Sequence, residues 1–174
     1  AMIGYRAAGQ TGKQELTLRS AIMDLEANGT FQYDKLLPSV LQYVNNYYKV
    51  TKDTAAVITA EQQIALKGII REHPLLKRFV PGLLKYDTIT FDGNYSSKAT
   101  DSALNFNLKM PYVVYTDKKL YNGSMSVVSA NEQLRYAVKT DTIQNGTNKL
   151  YGTQLAGYIA HDSLIADALT KDSK

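Results

Sequence analysis

His161, Asp162 and Ser163 stand side by side in "AHDSL" and supply the three side-chain types of a nucleophilic triad. A triad, however, is a spatial arrangement of groups drawn from separate parts of a fold, and three consecutive residues do not make one. His161 therefore reads as a surface residue of a polar turn. The other histidine, His73, precedes Pro74 at a strand end. The absence of cysteine excludes disulfides, thiolate metal sites and cysteine nucleophiles together. No metal-ligand spacing, phosphate loop, nucleophile elbow or dinucleotide fingerprint is present. Asp24, Glu26 and Asp141 fall on strand edges or turns without an evident partner and read as solvated charge. Asn-x-Ser/Thr sequons begin at Asn28, Asn94, Asn122 and Asn145, which a chain rich in Asn and Ser produces without glycosylation. The expectation is a protein that is not an enzyme and uses no cofactor and no metal.

What remains is the chemistry of surfaces. The 174 residues suffice for one domain with a real core, and 44% hydrophobic with 21% charged content is that of a folded protein. No run of 18 apolar residues spans a bilayer, and "AMIGYRAAGQ" lacks the apolar region of a secretory signal. Ala1 before Met2 looks like a cloning remnant, which fits a segment excised from a longer protein. The net charge of +4 is modest, and its densest basic spots, "LKRF" and "DKK", are too short for a nucleic-acid stripe. The aromatic usage is unusual, with 13 Tyr, 4 Phe and no Trp. Tyrosine suits a half-buried pleated surface, so much of the chain should be sheet.

The periodicity agrees. After a flexible segment over 1–14, "ELTLRSAI" and "LEANGTFQY" alternate with period two, and the phase slip near Met23–Asp24 calls for a bulge, turn or strand break. "YDKLLPSVLQYVNNYYKV" changes period and predicts an amphipathic helix near 34–49. Its apolar stripe is Leu37, Val40, Leu41, Val44 and Tyr48, with Asp34 as N-cap and Pro38 in the first turn. "HPLLKRFVPGLL" has room for a short helix near 74–80, with Leu75, Leu76, Phe79 and Val80 as its apolar side. Strands follow one another elsewhere, most clearly in "ALNFNLKM", and the short polar turns between them predict an antiparallel meander of eight to ten strands.

Five strands repeat an apolar-x-Gly-x-apolar unit, centred on Gly29, Gly68, Gly93, Gly123 and Gly157. Their intervals of 39, 25, 30 and 34 residues are too irregular for a solenoid rung. Every one of these glycines lies on the apolar face, where it notches the surface and permits local coiling. The fold class expected is mainly β with minor α, one long, strongly curved antiparallel sheet over 15–174 with an apolar concave face. A groove on that face would be lined by Ile64, Leu66, Ile70, Ile89, Phe91, Tyr95, Leu104, Phe106 and Leu108.

"LTLRSAIMDLEANGTFQYDKLLPSVLQYVNNYY", "QQIALKGIIREHPLLKRFVPGL" and "LKYDTITFDGNYSSKATDSALNFNLKMPYVVY" resemble a stretch recurring in large envelope proteins of the Bacteroidetes. The family is the translocation and assembly module TamB, within the AsmA-like superfamily. The resemblance covers nearly the whole chain and rests on pattern, not on an invariant motif. It implies a periplasmic β-taco with a hydrophobic groove, belonging to a Gram-negative parent protein anchored in the inner membrane by a helix outside this segment. It also implies phospholipid or other acyl chains as cargo and the outer-membrane protein assembly machinery as a partner. Two other readings stand beside this one. The first is a structural or interaction module with a closed core, docking partners by β-augmentation, and the second a lipocalin-like binder of one small hydrophobic ligand.

Overall fold

In the computed structural model the described residues are 2–7, 12–49, 60–99 and 101–171. They form eleven antiparallel strands and two helices: β1 (Met2–Ala7), β2 (Gln14–Arg19), β3 (Met23–Thr30), α1 (Tyr33–Asn45), β4 (Gln63–Ile70), α2 (Pro74–Phe79), β5 (Leu83–Tyr86), β6 (Ile89–Ser96), β7 (Leu104–Tyr115), β8 (Lys118–Ala130), β9 (Gln133–Asn145), β10 (Asn148–Ala160) and β11 (Ser163–Lys171). Ten strands pair in chain order into one open sheet that does not close into a barrel. Among the described residues no helix is long and apolar enough to cross a membrane.

Eleven strands are one more than the upper end of the expected eight to ten, and two of them were not foreseen as they stand. Residues 2–7, expected as part of a flexible lead-in, pair along their length with β2. β5 and β6 are one line of chain along β7, interrupted at Asp87–Thr88. The register sets Thr88 opposite Pro111, and a proline has no N–H to give the ladder. The pairing resumes where the Asp87 N–H reaches the Tyr112 carbonyl at 2.9 Å.

The phase slip near Met23 is a tight turn. Ser20 Oγ accepts the Met23 N–H at 2.9 Å and the Ile22 N–H at 3.3 Å, a local side-chain closure that ends β2 at Arg19. Beyond β7 the hairpins have two-residue turns, and their positive φ values at Thr116, Asn131, His161 and Gly146 match the twist of the strands they join. Such turns pin register, so the apolar rows run straight across the sheet.

One row reads Leu16, Ala27, Leu66, Gly93, Phe106, Val127, Tyr136, Gly157, Ala166. The next reads Leu18, Leu25, Gly68, Phe91, Leu108, Met125, Val138, Leu155, Ala168. The opposite face is polar. There Glu26 lies between Arg19 and Lys67, the latter at 2.9 Å, and Asn107 donates to Asp92 at 3.0 Å. Asp24 also has a partner, since Arg71 Nη2 meets its carboxylate at 2.6 Å, and Asn122 donates to Asp141 at 2.8 Å. The reading of these acids as unpartnered is corrected by sheet pairing, which brings distant residues into rows.

The hydrogen bond from Arg71 holds the Asp24 carboxyl below the usual carboxylate range. A carboxylate whose folded value is depressed adds stability that is present above its unfolded value and is lost as pH falls through the folded one. The urea midpoint should therefore fall below about pH 4, and Asp24→Asn should fall less over the same range. Parallel curves for the two proteins would remove the ion pair from the account.

Candidate functional site

Helix α1 crosses the apolar face near one end of the sheet. It starts two residues earlier than an Asp34 cap would place it: Gln32 occupies the N-cap, with no side-chain bond, and Asp34 lies in the first turn. Pro38 is therefore inside the helix, where its missing N–H leaves the Asp34 carbonyl without its helical donor. The junction is tied instead by Gln62, fully buried, whose Oε1 accepts the Gln32 N–H at 2.9 Å.

The helix face turned to the sheet differs from the expected one. Leu36, Val40 and Tyr43 pack against the cluster of Ala27, Phe31, Ile64 and Tyr95, and Tyr47 is buried on the same stripe. Leu37 is 64% exposed and Tyr48 points largely to solvent. The two stripes overlap at Val40 and differ by roughly one residue, or about 100° of helical rotation.

Polar bonds decide between them. The Tyr95 hydroxyl donates to the Ser39 carbonyl at 3.0 Å, so its oxygen is left to accept from the Ser39 hydroxyl at 2.8 Å. The Tyr43 and Tyr47 hydroxyls share a 2.7 Å bond, and the Tyr43 ring meets the Tyr95 ring edge-on at 5.8 Å. Burial pushes the Tyr95 and Tyr47 hydroxyls above their ordinary values, reinforced at Tyr47 by the bond to Tyr43. Both stay protonated donors at any physiological pH.

At its far end α1 reaches the β10–β11 turn. The Asp162 N–H donates to the Tyr47 carbonyl at 3.0 Å, and Asp162 Oδ1 accepts the Lys49 N–H at 3.0 Å. Asp162 thus clamps the helix, while the neighbouring Ser163 hydroxyl points at the His161 carbonyl, 3.4 Å away, and makes no triad. From β3 to β10 the sheet steps six strands. The α1 segment therefore spans the apolar face from the end of β3 to the β10–β11 turn.

Between α1 and this face lies a cavity of about 440 Å³, walled by Leu36, Leu37 and Val40 of the helix and by Leu66, Phe106 and Val127 of the sheet. Of the nine expected groove residues, Ile64, Leu66, Tyr95, Leu104 and Phe106 line it. Ile70, Ile89, Phe91 and Leu108 lie on the same face, farther from the helix and half-buried. Val127 and the helix residues were not in the expected set. A stripe read as Leu36, Val40, Tyr43, Tyr47 would have found the helix side. A larger cleft of about 650 Å³ at the ends of β2, β3, β4 and β6 has mixed walls, with Lys13, Glu15, Asn28 and Gln63 beside Ile64 and Tyr95.

The space beside the glycines is occupied. A Cβ on Gly93 would lie 2.8 Å from the Asn105 carbonyl oxygen and 3.1 Å from the Phe106 ring. One on Gly68 would strike the Phe91 ring, and one on Gly157 would sit 2.8 Å from the Tyr136 hydroxyl. In each case the aromatic is the cross-strand partner of the glycine. The Tyr136 hydroxyl passes over Gly157 and donates to the Ile165 carbonyl at 3.0 Å, joining β9 to β11 across β10. These glycines make room for aromatic rings and close backbone, so the open space on the apolar face is the cavity under α1, not a set of notches.

Among the described residues no group of three or more His, Asp or Glu is placed to hold a metal ion. Comparison of the chain with family models, with curated proteins and with solved structures gave no match.

Proposed function

We propose that this chain is a non-enzymatic segment of an envelope-biogenesis protein, sheltering phospholipid acyl chains on its apolar face. The observation that carries the reading is the 440 Å³ cavity, which falls within the roughly 300–1,000 Å³ of small-molecule sites and has almost wholly apolar walls. Each methylene buried there gains about 0.8 kcal/mol. The rows of Leu, Ile, Phe, Val and Met extend the same surface beyond the helix. The TamB resemblance of the sequence supports periplasmic placement and a parent protein held in the inner membrane, with assembly of outer-membrane proteins as the associated role.

Leu37 offers the cleanest test, because it lines the cavity while standing largely in solvent. Leu37→Arg should leave the melting temperature within a degree or two and weaken binding of a fluorescent fatty acid by about tenfold. Native mass spectrometry of the wild-type protein should show bound lipid. A protein that carries no lipid and binds the fatty acid equally with either residue refutes the reading.

A second reading, an interaction module that recruits a strand by β-augmentation, is favoured by β11. All its residues are exposed, including Leu164, Ile165 and Leu169, and among the described residues no strand pairs with its outer edge.

A further inference from the structure

"LKRF" and "DKK" lie some forty residues apart in the chain, yet the fold brings them together at the end of the sheet opposite α1. Leu83 pairs with Tyr115, and the Thr116 N–H donates to the Gly82 carbonyl at 2.7 Å, so the α2–β5 turn abuts the β7–β8 hairpin tip. The next tip, Gly146–Thr147, adjoins through the Lys118–Asn145 pair and adds Lys149 and Leu150.

This end exposes apolar side chains that the core does not use. Phe79 is 80% exposed, and Leu75, Val80, Leu84, Tyr115 and Leu150 are also largely in solvent. Exposed cations surround them, namely Arg78, Lys85 and Lys149. Of the nearby acids, Asp117 pairs with Lys118 at 3.1 Å and Glu72 with Lys77 at 2.7 Å, while exposed Asp87 stands two residues beyond Lys85. Among the described residues neither Arg78 nor Lys149 has an ion pair. Lys85 Nζ stands 5.8 Å over the Tyr112 ring. At the α1 end the cations Lys35, Lys49 and Lys98 are matched by Glu61, Asp101, Glu132 and Asp162, with Lys98 paired to Glu61 at 2.6 Å. An excess of positive charge beside exposed apolar side chains thus marks the end that carries α2 and the β7–β8 tip.

An apolar apex inside a cationic collar complements a surface that is anionic outside and hydrocarbon within. We propose that this end of the sheet docks on an anionic lipid bilayer, with Phe79 and Leu84 entering the headgroup region and Arg78, Lys85 and Lys149 meeting lipid phosphates. The docking is independent of whether the apolar face carries lipid.

Cosedimentation with vesicles tests it, comparing phosphatidylcholine alone with phosphatidylcholine containing roughly a third phosphatidylglycerol. Wild type should bind the anionic vesicles at least about tenfold more tightly, and about 0.5 M salt should erase the difference. The triple variant Arg78→Ser, Lys85→Ser, Lys149→Ser should lose about a hundredfold in affinity for anionic vesicles. Phe79→Ser with Leu84→Ser should lose about tenfold. Lys35→Ser with Lys98→Ser, at the α1 end, should bind as wild type does. Thermal unfolding of each variant establishes that it folds, which these exposed positions favour. The proposal is overturned if wild type ignores anionic vesicles or binds both kinds equally. It is equally overturned if the folded triple variant keeps its affinity, or if the α1-end variant loses as much.

Discussion

Gly29→Ala should lower the melting temperature by roughly 10 °C, equivalent to about 3 kcal/mol in a domain of this size. Gly29 has a φ of +149°, a conformation that side-chain-bearing residues rarely adopt. A Cβ there would also strike the Gln63 carbonyl group and lie 2.9 Å from the Ile64 Cα. Both obstacles are backbone of the paired strand β4, which cannot move without breaking the ladder that holds Ile64 in the core. Gly146→Ala is the control. Gly146 also has a positive φ, +59°, but a Cβ there meets nothing within 4 Å, so only the conformational cost of about 1 kcal/mol applies. Thermal unfolding by circular dichroism distinguishes the two. Equal losses at both positions would mean that β3 and β4 do not approach as closely as the structure places them.

Tyr95→Ala should be about as damaging, at roughly 3–5 kcal/mol, because it empties the centre of the only cluster that joins α1 to the sheet among the described residues. Tyr95→Phe separates packing from hydrogen bonding. It keeps the ring against Tyr43 but leaves the buried Ser39 hydroxyl without its partner, at a cost of about 1–2 kcal/mol. Urea unfolding measures both. In addition, amide exchange in α1 should accelerate in Tyr95→Phe more than exchange in β8 and β9, since the lost bonds tie the helix alone. Uniform acceleration across the chain, or none, would show that Tyr95 does not anchor the helix.

The strands and their inward faces were legible because period-two alternation is a local property and both rows of the sheet descend from it. Thus Ile64, Leu66, Phe91, Leu104, Phe106 and Leu108 could be assigned to one face from their own strands. The facing side of α1 was not legible, because two stripes share Val40 and the one richer in Leu is not the one buried. Tyr43 and Tyr47 face inward since their hydroxyls bond one another there, while Tyr95 ties the neighbouring Ser39 to the sheet. Those partners are set by pairings dozens of residues apart. The role of the glycines was half legible: their face followed from alternation, but what lies over each one, a ring at Gly68, Gly93 and Gly157 and backbone at Gly29, depends on which strand lies next to it. The clamp at Asp162 was not legible, because its partners, Tyr47 and Lys49, are over a hundred residues away in the chain.

The chord that α1 draws between β3 and the β10–β11 turn divides the molecule mechanically. At that end the curvature is fixed by the length of a hydrogen-bonded rod, which neither stretches nor shortens by less than a turn. At the other end β7, β8, β9 and β10 run on as long hairpins with no such brace among the described residues. The sheet is therefore a clamped plate with one free margin, and its width there is set by the twist of its strands alone. A sheet of this kind has a rigid heel and a compliant lip, so the lip can widen or narrow without disturbing the bonds that hold the heel.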